Sequence, residues 1–203
     1  MAKHRLSSEL RQEQILDITL EIIAENGLAG VNLSEIAKRV GVVPSALYRH
    51  FENKEALIDA LLDRTHLVLM ENVRKTTMSS SSSLENLRNL FLMHLEFIRK
   101  NPGMLKLVFS DIAVMGSTER KKKIFSIVKT YTDQLSAIAE KGRSQGEILP
   151  DISTKAIAFS MVSFVQHAGL ISNITDGEID LNGLAEVAWS YIETAVRNDR
   201  HSG

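Results

Sequence analysis

No cysteine occurs in the 203 residues. Disulfides, thiolate metal sites and a cysteine redox switch are therefore excluded together, and a reducing cytoplasm is the expected setting. Three prolines and 5% aromatic residues leave little to break a helix. No segment alternates apolar and polar residues in the way a half-buried strand does. No apolar stretch follows the basic start at Met1–Arg5 as a secretory signal requires, and no uninterrupted apolar run approaches the ~20 residues that span a bilayer. The expectation is a cytoplasmic protein with no membrane partner.

The usual marks of an enzyme are missing too. There is no glycine-rich phosphate loop, no carboxylate pair at helical spacing on an apolar face, and no nucleophile with an evident base. No catalytic residue and no cofactor are expected. His94 and His167 lie on apolar helical segments without a cysteine or carboxylate at ligand spacing, so no metal site is expected either. The formal net charge of −1 argues against a protein that coats nucleic acid generally. It leaves room for a local basic face, because the distribution of charge matters more than its sum.

What the chain does contain is helix almost throughout. A first helix is predicted from about Ser8 to Asn26, with Ile15, Leu16, Thr19, Leu20, Ile22 and Ile23 as its apolar stripe and Gly27 as its end. Asn32 caps a second helix through Ile36, Ala37 and Val40, closed by Gly41. Pro44 sits in the first turn of a third, which reaches His50. Asn53 caps a fourth helix that runs to about Met78. Ser79–Ser83 reads as a flexible connection, and Ser82 with Glu85 makes a candidate capping box for the fifth helix. A short sixth element starts at Pro102. A seventh helix ends near Gln145, an eighth covers about 153–172, and Asp180 caps a ninth that ends near Arg197.

Within this series, residues 33–51 have the layout of a helix-turn-helix. Leu33, Ile36, Ala37 and Val40 face inward, Val42, Leu47 and Phe51 close the small core, and the first helix supplies its lid. The outer face carries Val43, Pro44, Ser45, Ala46, Tyr48, Arg49 and His50. Ser45 and Tyr48 can donate to phosphates or base edges, Ala46 offers a methyl to thymine, and Arg49 can pair with guanine or phosphate. Asn32, Ser34, Lys38, Arg39 and Lys54 ring the unit as backbone contacts, and Lys3, His4 and Arg5 could reach a minor groove. Arg120–Lys123 is read as a solvated face.

Asn32 to Leu57 reads NLSEIAKRVGVVPSALYRHFENKEAL. The joint spacing of Ile36-Ala37, Gly41-Val42, Leu47-Tyr48, His50-Phe51 and Asn53 to Leu57 resembles the TetR family of bacterial repressors. The match covers roughly residues 10–62. The resemblance implies an all-α protein with an N-terminal three-helix helix-turn-helix domain (8–55) and a larger C-terminal helical domain (56–203) for effector binding and dimerisation. It implies a homodimer whose recognition helices enter successive major grooves of a near-palindromic double-stranded DNA operator. Tyr48, His50 and Lys54 match the family's phosphate-contacting positions and Val43 to Ala46 its base-facing ones. Val43 and Pro44 depart from its more usual polar residue or glycine, which moves direct readout onto Ser45 and Arg49.

For the larger domain the expectation is a mostly apolar pocket with a few polar anchors, holding a small, mostly apolar effector. The candidate lining is Phe91, His94, Phe97, Met104, Phe109, Met115, Tyr131, Phe164 and His167. Met161, Val165 and Ala168 on the eighth helix, with Leu184, Ala188, Trp189 and Ile192 on the ninth, exceed what one small core needs and are the candidate dimer interface. A helical-bundle enzyme and an effector-independent DNA-binding dimer are the competing readings.

Overall fold

The computed structural model describes residues 7–110, 117–175 and 178–198. Nine α-helices cover most of these: α1 Ser8–Asn26, α2 Leu33–Val40, α3 Pro44–Leu47, α4 Lys54–Ser79, α5 Ser83–Lys100, α6 Pro102–Ser110, α7 Thr118–Ser144, α8 Thr154–Ile174 and α9 Leu181–Val196. One isolated bridge, Ile148 to Arg197, is the only β pairing among the described residues.

The helix ends follow from local chemistry. The Ser7 hydroxyl accepts from the Leu10 N–H, the Asn32 side chain from Ser34, Ser153 from Ala156, and Asp180 from Asn182 and Gly183. Each satisfies a donor that the first helical turn leaves without a partner. Gly41 closes α2 in the left-handed conformation, at φ 75°. Its N–H returns to Lys38 at 3.2 Å and the Val42 N–H to Ala37 at 2.9 Å, the paired bonds that a left-handed glycine permits.

The chain divides into two units. The first is Met1–Thr65 with Asn101–Ile124, and the second is His66–Lys100 with Phe125–Gly203. This differs from a single cut after residue 55, because α6 returns to the first unit and packs on α1. Gly103 explains how. A Cβ there would stand 2.2 Å from the Leu20 carbonyl oxygen, so only glycine allows this approach. The Lys106 ammonium then donates to the Ala24 carbonyl near the end of α1, where a cation suits the helix dipole.

In the second unit, α5 packs against α8 and α9. Its core includes Leu87, Leu90, Phe91 and Leu95 of α5, Leu135 and Ala139 of α7, Ile157, Met161 and Val165 of α8, and Ala185 and Trp189 of α9.

The serine run is ordered by hydrogen bonds rather than being a flexible connection. α4 extends to Ser79 and α5 starts at Ser83. Between them Ser80 donates to Glu85 at 2.6 Å, Ser82 to Glu147 at 2.8 Å, and Ser83 to Gln145 at 3.3 Å. The capping box is correspondingly altered. Ser82 accepts from the Glu85 N–H at 3.2 Å, but the Ser82 N–H goes to the Ser80 hydroxyl.

α8 corrects the membrane argument drawn from run length. Its 21 residues are long and apolar enough, by length and composition, to cross a bilayer. Ile157, Ala158, Met161, Val162 and Val165 are nevertheless buried within the unit, as in the core helix of a globular bundle.

Candidate nucleic-acid interface

Ile36, Ala37, Val40, Leu47 and Phe51 are buried beneath α2 and α3, with Ile15, Leu20 and Ile23 of α1 among the same unit's core. The inward residues are thus taken up by packing, and α3 presents what remains. It is shorter than the predicted helix, ending at Leu47. The Leu47 carbonyl then accepts from both the His50 and Phe51 N–H groups, and Asn53 caps the start of α4.

Val43, Pro44, Ser45, Tyr48 and Arg49 are exposed, while Ala46 and His50 are half-buried. Tyr48 keeps 52% of its surface open. Among the described residues neither its hydroxyl nor the Arg49 guanidinium has a hydrogen-bond or ion-pair partner. Two free donors at the end of a helix with a closed inner face are suited to phosphates and base edges. Asn32 and Ser34 are exposed at the start of α2, with the Asn32 carbonyl oxygen held by the Ser34 N–H at 2.8 Å.

Two cations of the expected ring have partners inside the unit. Arg39 forks onto Glu25 at 2.7 and 2.9 Å and reaches Glu35 at 3.0 Å. It ties α2 to α1 and is not a free phosphate contact. Lys54 donates to the Leu28 carbonyl at 2.7 Å, which leaves its other N–H donors for a phosphate. Lys38 is open, its nearest carboxylate being Glu35 at 3.9 Å. Lys123 pairs with Asp63 at 2.8 Å, so the basic run at 120–123 is partly neutralised within the fold. Lys3, His4 and Arg5 lie outside the described residues.

The nine residues expected around an effector do not form one group. Met104 and Phe109 belong to the first unit. Met104 is buried there, and its sulfur accepts from the Thr65 hydroxyl at 3.5 Å. Met115 lies outside the described residues. The other six are in the second unit, but His167 is exposed on the outer side of α8.

Those that come together are aromatic. Phe91 lies 5.3 Å from Phe164 and 6.0 Å from Trp189, and His94 meets Tyr131 edge-on at 5.2 Å. Phe97, three residues beyond His94 on α5, is half-buried. A separate cleft of about 460 Å³, lined by Arg88, Glu147, Trp189, Glu193 and Arg197 among others, contains none of the nine.

The interface expected on α8 and α9 also needs correction. Met161, Val165, Ala168 and Trp189 are buried within the protomer. The helical apolar period marked their inner face, which a partner cannot reach. Ala188 and Ile192 are half-buried and Leu184 is open. The apolar side chains that remain outside are Phe159, Ile174, Leu184, Val187 and Tyr191, with Phe159 at 69% and Tyr191 at 73% exposure.

Glu147 is the structural residue that sequence reasoning missed. It accepts from the Ser83 and Leu84 N–H groups at 3.1 Å each, besides the Ser82 hydroxyl. Partial burial raises its carboxyl pKa, but the Leu84 and Ser83 N–H groups, Ser82 and the Lys141 charge outweigh that and hold it below the ordinary value. No local signal marks it, because its partners lie more than 60 residues away in the chain.

An open donor face over a closed three-helix core, in a chain that is helical over most of its described residues, is the arrangement of a helix-turn-helix unit. Residues 15–61 match the family described as bacterial regulatory proteins, tetR family.

The nucleoid occlusion factor SlmA of Haemophilus ducreyi is 28% identical over 158 residues, 77% of each chain. Among solved structures, the fatty acid degradation regulator FadR from Bacillus halodurans superposes with a TM-score of 0.77 at 21% identity, covering 94% of this chain and 96% of that one. FadR from Bacillus subtilis, solved in complex with stearoyl-CoA, has a TM-score of 0.73 at 23% identity, covering 91% and 99%. The shared fold therefore extends over almost the whole chain.

Proposed function

We propose that this protein is a ligand-responsive repressor that binds a near-palindromic double-stranded DNA operator as a homodimer. The observation that carries the reading is the exposed, unpartnered pair Tyr48 and Arg49 in the turn that follows α3. Tyr48, His50 and Lys54 contact phosphates, as do Asn32 and Ser34. Val43 to Ala46 face the bases, and Arg49 reads a guanine or clamps the backbone. The two copies meet through the outer apolar faces of α8 and α9, and the protein works in the cytoplasm on the nucleoid without a membrane partner.

The effector is a small, mostly apolar molecule held in the second unit. Two things support this: the aromatic group at Phe91, Phe164 and Trp189, and a relative of the same fold solved with a long-chain acyl ligand. Effector and operator favour different spacings of the paired recognition helices, so each lowers the other's affinity by a coupling of about 1–3 kcal/mol.

Selection from a random DNA pool tests the reading, run beside a Tyr48→Ala/Arg49→Ala double variant. Recovery of a palindromic site by the wild type alone is expected. Equal enrichment by the variant would remove α3 as the reading element. A site whose affinity no bound ligand alters would leave an effector-independent dimer instead.

A further inference from the structure

In the second unit, buried polar side chains are few. Thr76, Ser83, Asn86 and Thr154 each take part in a hydrogen bond, to Met93, Gln145, Ser80 and Ser136 respectively. His94 of α5, at 7% exposure, and Tyr131 of α7, at 3%, are as deeply buried. Their rings meet edge-on with centroids 5.2 Å apart. Neither the imidazole nitrogens nor the phenol hydroxyl has a hydrogen-bond partner among the described residues. Fully buried side-chain atoms without a hydrogen-bond partner among the described residues include His66 Nδ1 and Asn86 Oδ1. The polar atoms of His94 and Tyr131 are not of that kind, so each keeps slight access and is open to a partner atom.

Two further facts limit what could satisfy them. Phe91 lies one turn before His94 on α5 and joins Phe164 and Trp189 in the aromatic group, so apolar surface adjoins the polar pair. No Asp, Glu, Lys or Arg is buried among the described residues. A charged ligand group brought to this position would meet no buried counter-ion among the described residues, and an unpaired buried charge is strongly disfavoured. Burial also keeps the imidazole uncharged, its pKa pushed down to about 4, and pushes the phenol up from its ordinary value. Both groups therefore act as neutral hydrogen-bond partners.

We infer that His94 and Tyr131 are the specificity pair of the effector site, selecting an uncharged, mostly aliphatic molecule that carries one hydrogen-bond-accepting oxygen, such as an ester or ketone carbonyl. The Tyr131 hydroxyl donates to that oxygen and the His94 imidazole completes its shell, while the aliphatic body lies toward Phe91 and Phe164. A free carboxylate of the same length is discriminated against. This rests on the effector reading above.

Methyl octanoate, octanoate and octane make a matched probe set. Trp189, the single tryptophan, sits beside Phe91 and reports binding by its emission in the full-length protein. The ester is expected to bind about tenfold more tightly than either the alkane or the carboxylate, the size of one buried neutral hydrogen bond. Tyr131→Phe should abolish that preference and leave octane affinity unchanged.

The melting midpoint of Tyr131→Phe should not fall, since the lost hydroxyl bonds nothing in the free protein. A fall of more than a few degrees would mean that the hydroxyl supports the fold, and would overturn the assignment. So would carboxylate binding as tight as the ester's, an ester preference that survives in Tyr131→Phe, or no binding of any probe. The two readings fail separately. Ester binding without operator release retains the specificity pair and sinks the effector mechanism, whereas operator release by octanoate alone does the reverse.

Discussion

Burial holds the His94 imidazole at a pKa of about 4 against an ordinary 6.5, and that difference links a single side chain to the stability of the protein. Below about pH 6.5 the unfolded chain binds a proton that the folded chain refuses. Stability is therefore fully present above that pH and is lost as pH falls toward 4. The difference corresponds to about 3 kcal/mol. Urea unfolding between pH 4 and 8 should show this loss, and His94→Phe should flatten the curve over the same window; an unchanged slope in the variant would place the titration elsewhere. The same scale shows what a sequence reveals of a side chain. The exposure of Tyr48 and Arg49 was legible because it depends on residues within one turn of them. Arg39 and Lys54 were not, because Glu25 and the Leu28 carbonyl lie 14 and 26 residues away in the chain and only folding brings them within reach.

Among the elements, α2 and α9 begin and end, α6 begins and α7 ends within a residue or two of where capping residues, prolines and glycines put them. Local backbone chemistry decides helix ends, so local sequence carries them. The serine-rich segment behaved differently. Five serines in isolation suggest flexibility, but Glu147 and Gln145, supplied by the turn after α7, convert them into the capped start of α5. Glu147→Ala leaves three donors of that segment without their acceptor. Its expected cost is about 2 kcal/mol of stability, the size of a helix cap strengthened by charge. Denaturant titration with an unchanged slope would register it; a change within a few tenths of a kcal/mol would show that water replaces the carboxylate. α6 carries a similar lesson. Its helical pattern could be read from sequence, whereas its place beside α1 depends on Gly103 meeting the Leu20 carbonyl.

At the scale of the whole molecule, the proposed homodimer requires a surface that pairs two copies. Phe159 and Tyr191 offer large apolar groups on the outer faces of α8 and α9, too exposed to be explained by the protomer's own core. A Phe159→Glu/Tyr191→Glu variant should sediment as a monomer with its helical content intact. Its operator affinity should fall by roughly a hundredfold or more, because two half-sites are no longer engaged together. A variant that remains dimeric would move the interface off these faces. Val165→Glu is the contrasting control: with Val165 fully buried, it should lose the fold rather than the dimer.

The sequence by itself determined the all-helical class, the extents of most helices and which residues around α3 stay exposed, because each depends on periodicity, capping and spacing within a few residues. The tertiary structure alone decided which side of α8 faces inward, that α6 belongs with α1, and that Met104 is core of the first unit. It also decided that His94 and Tyr131 meet without a hydrogen bond. All four are matters of which distant surfaces come into contact, and an apolar period identifies a face without saying what lies against it.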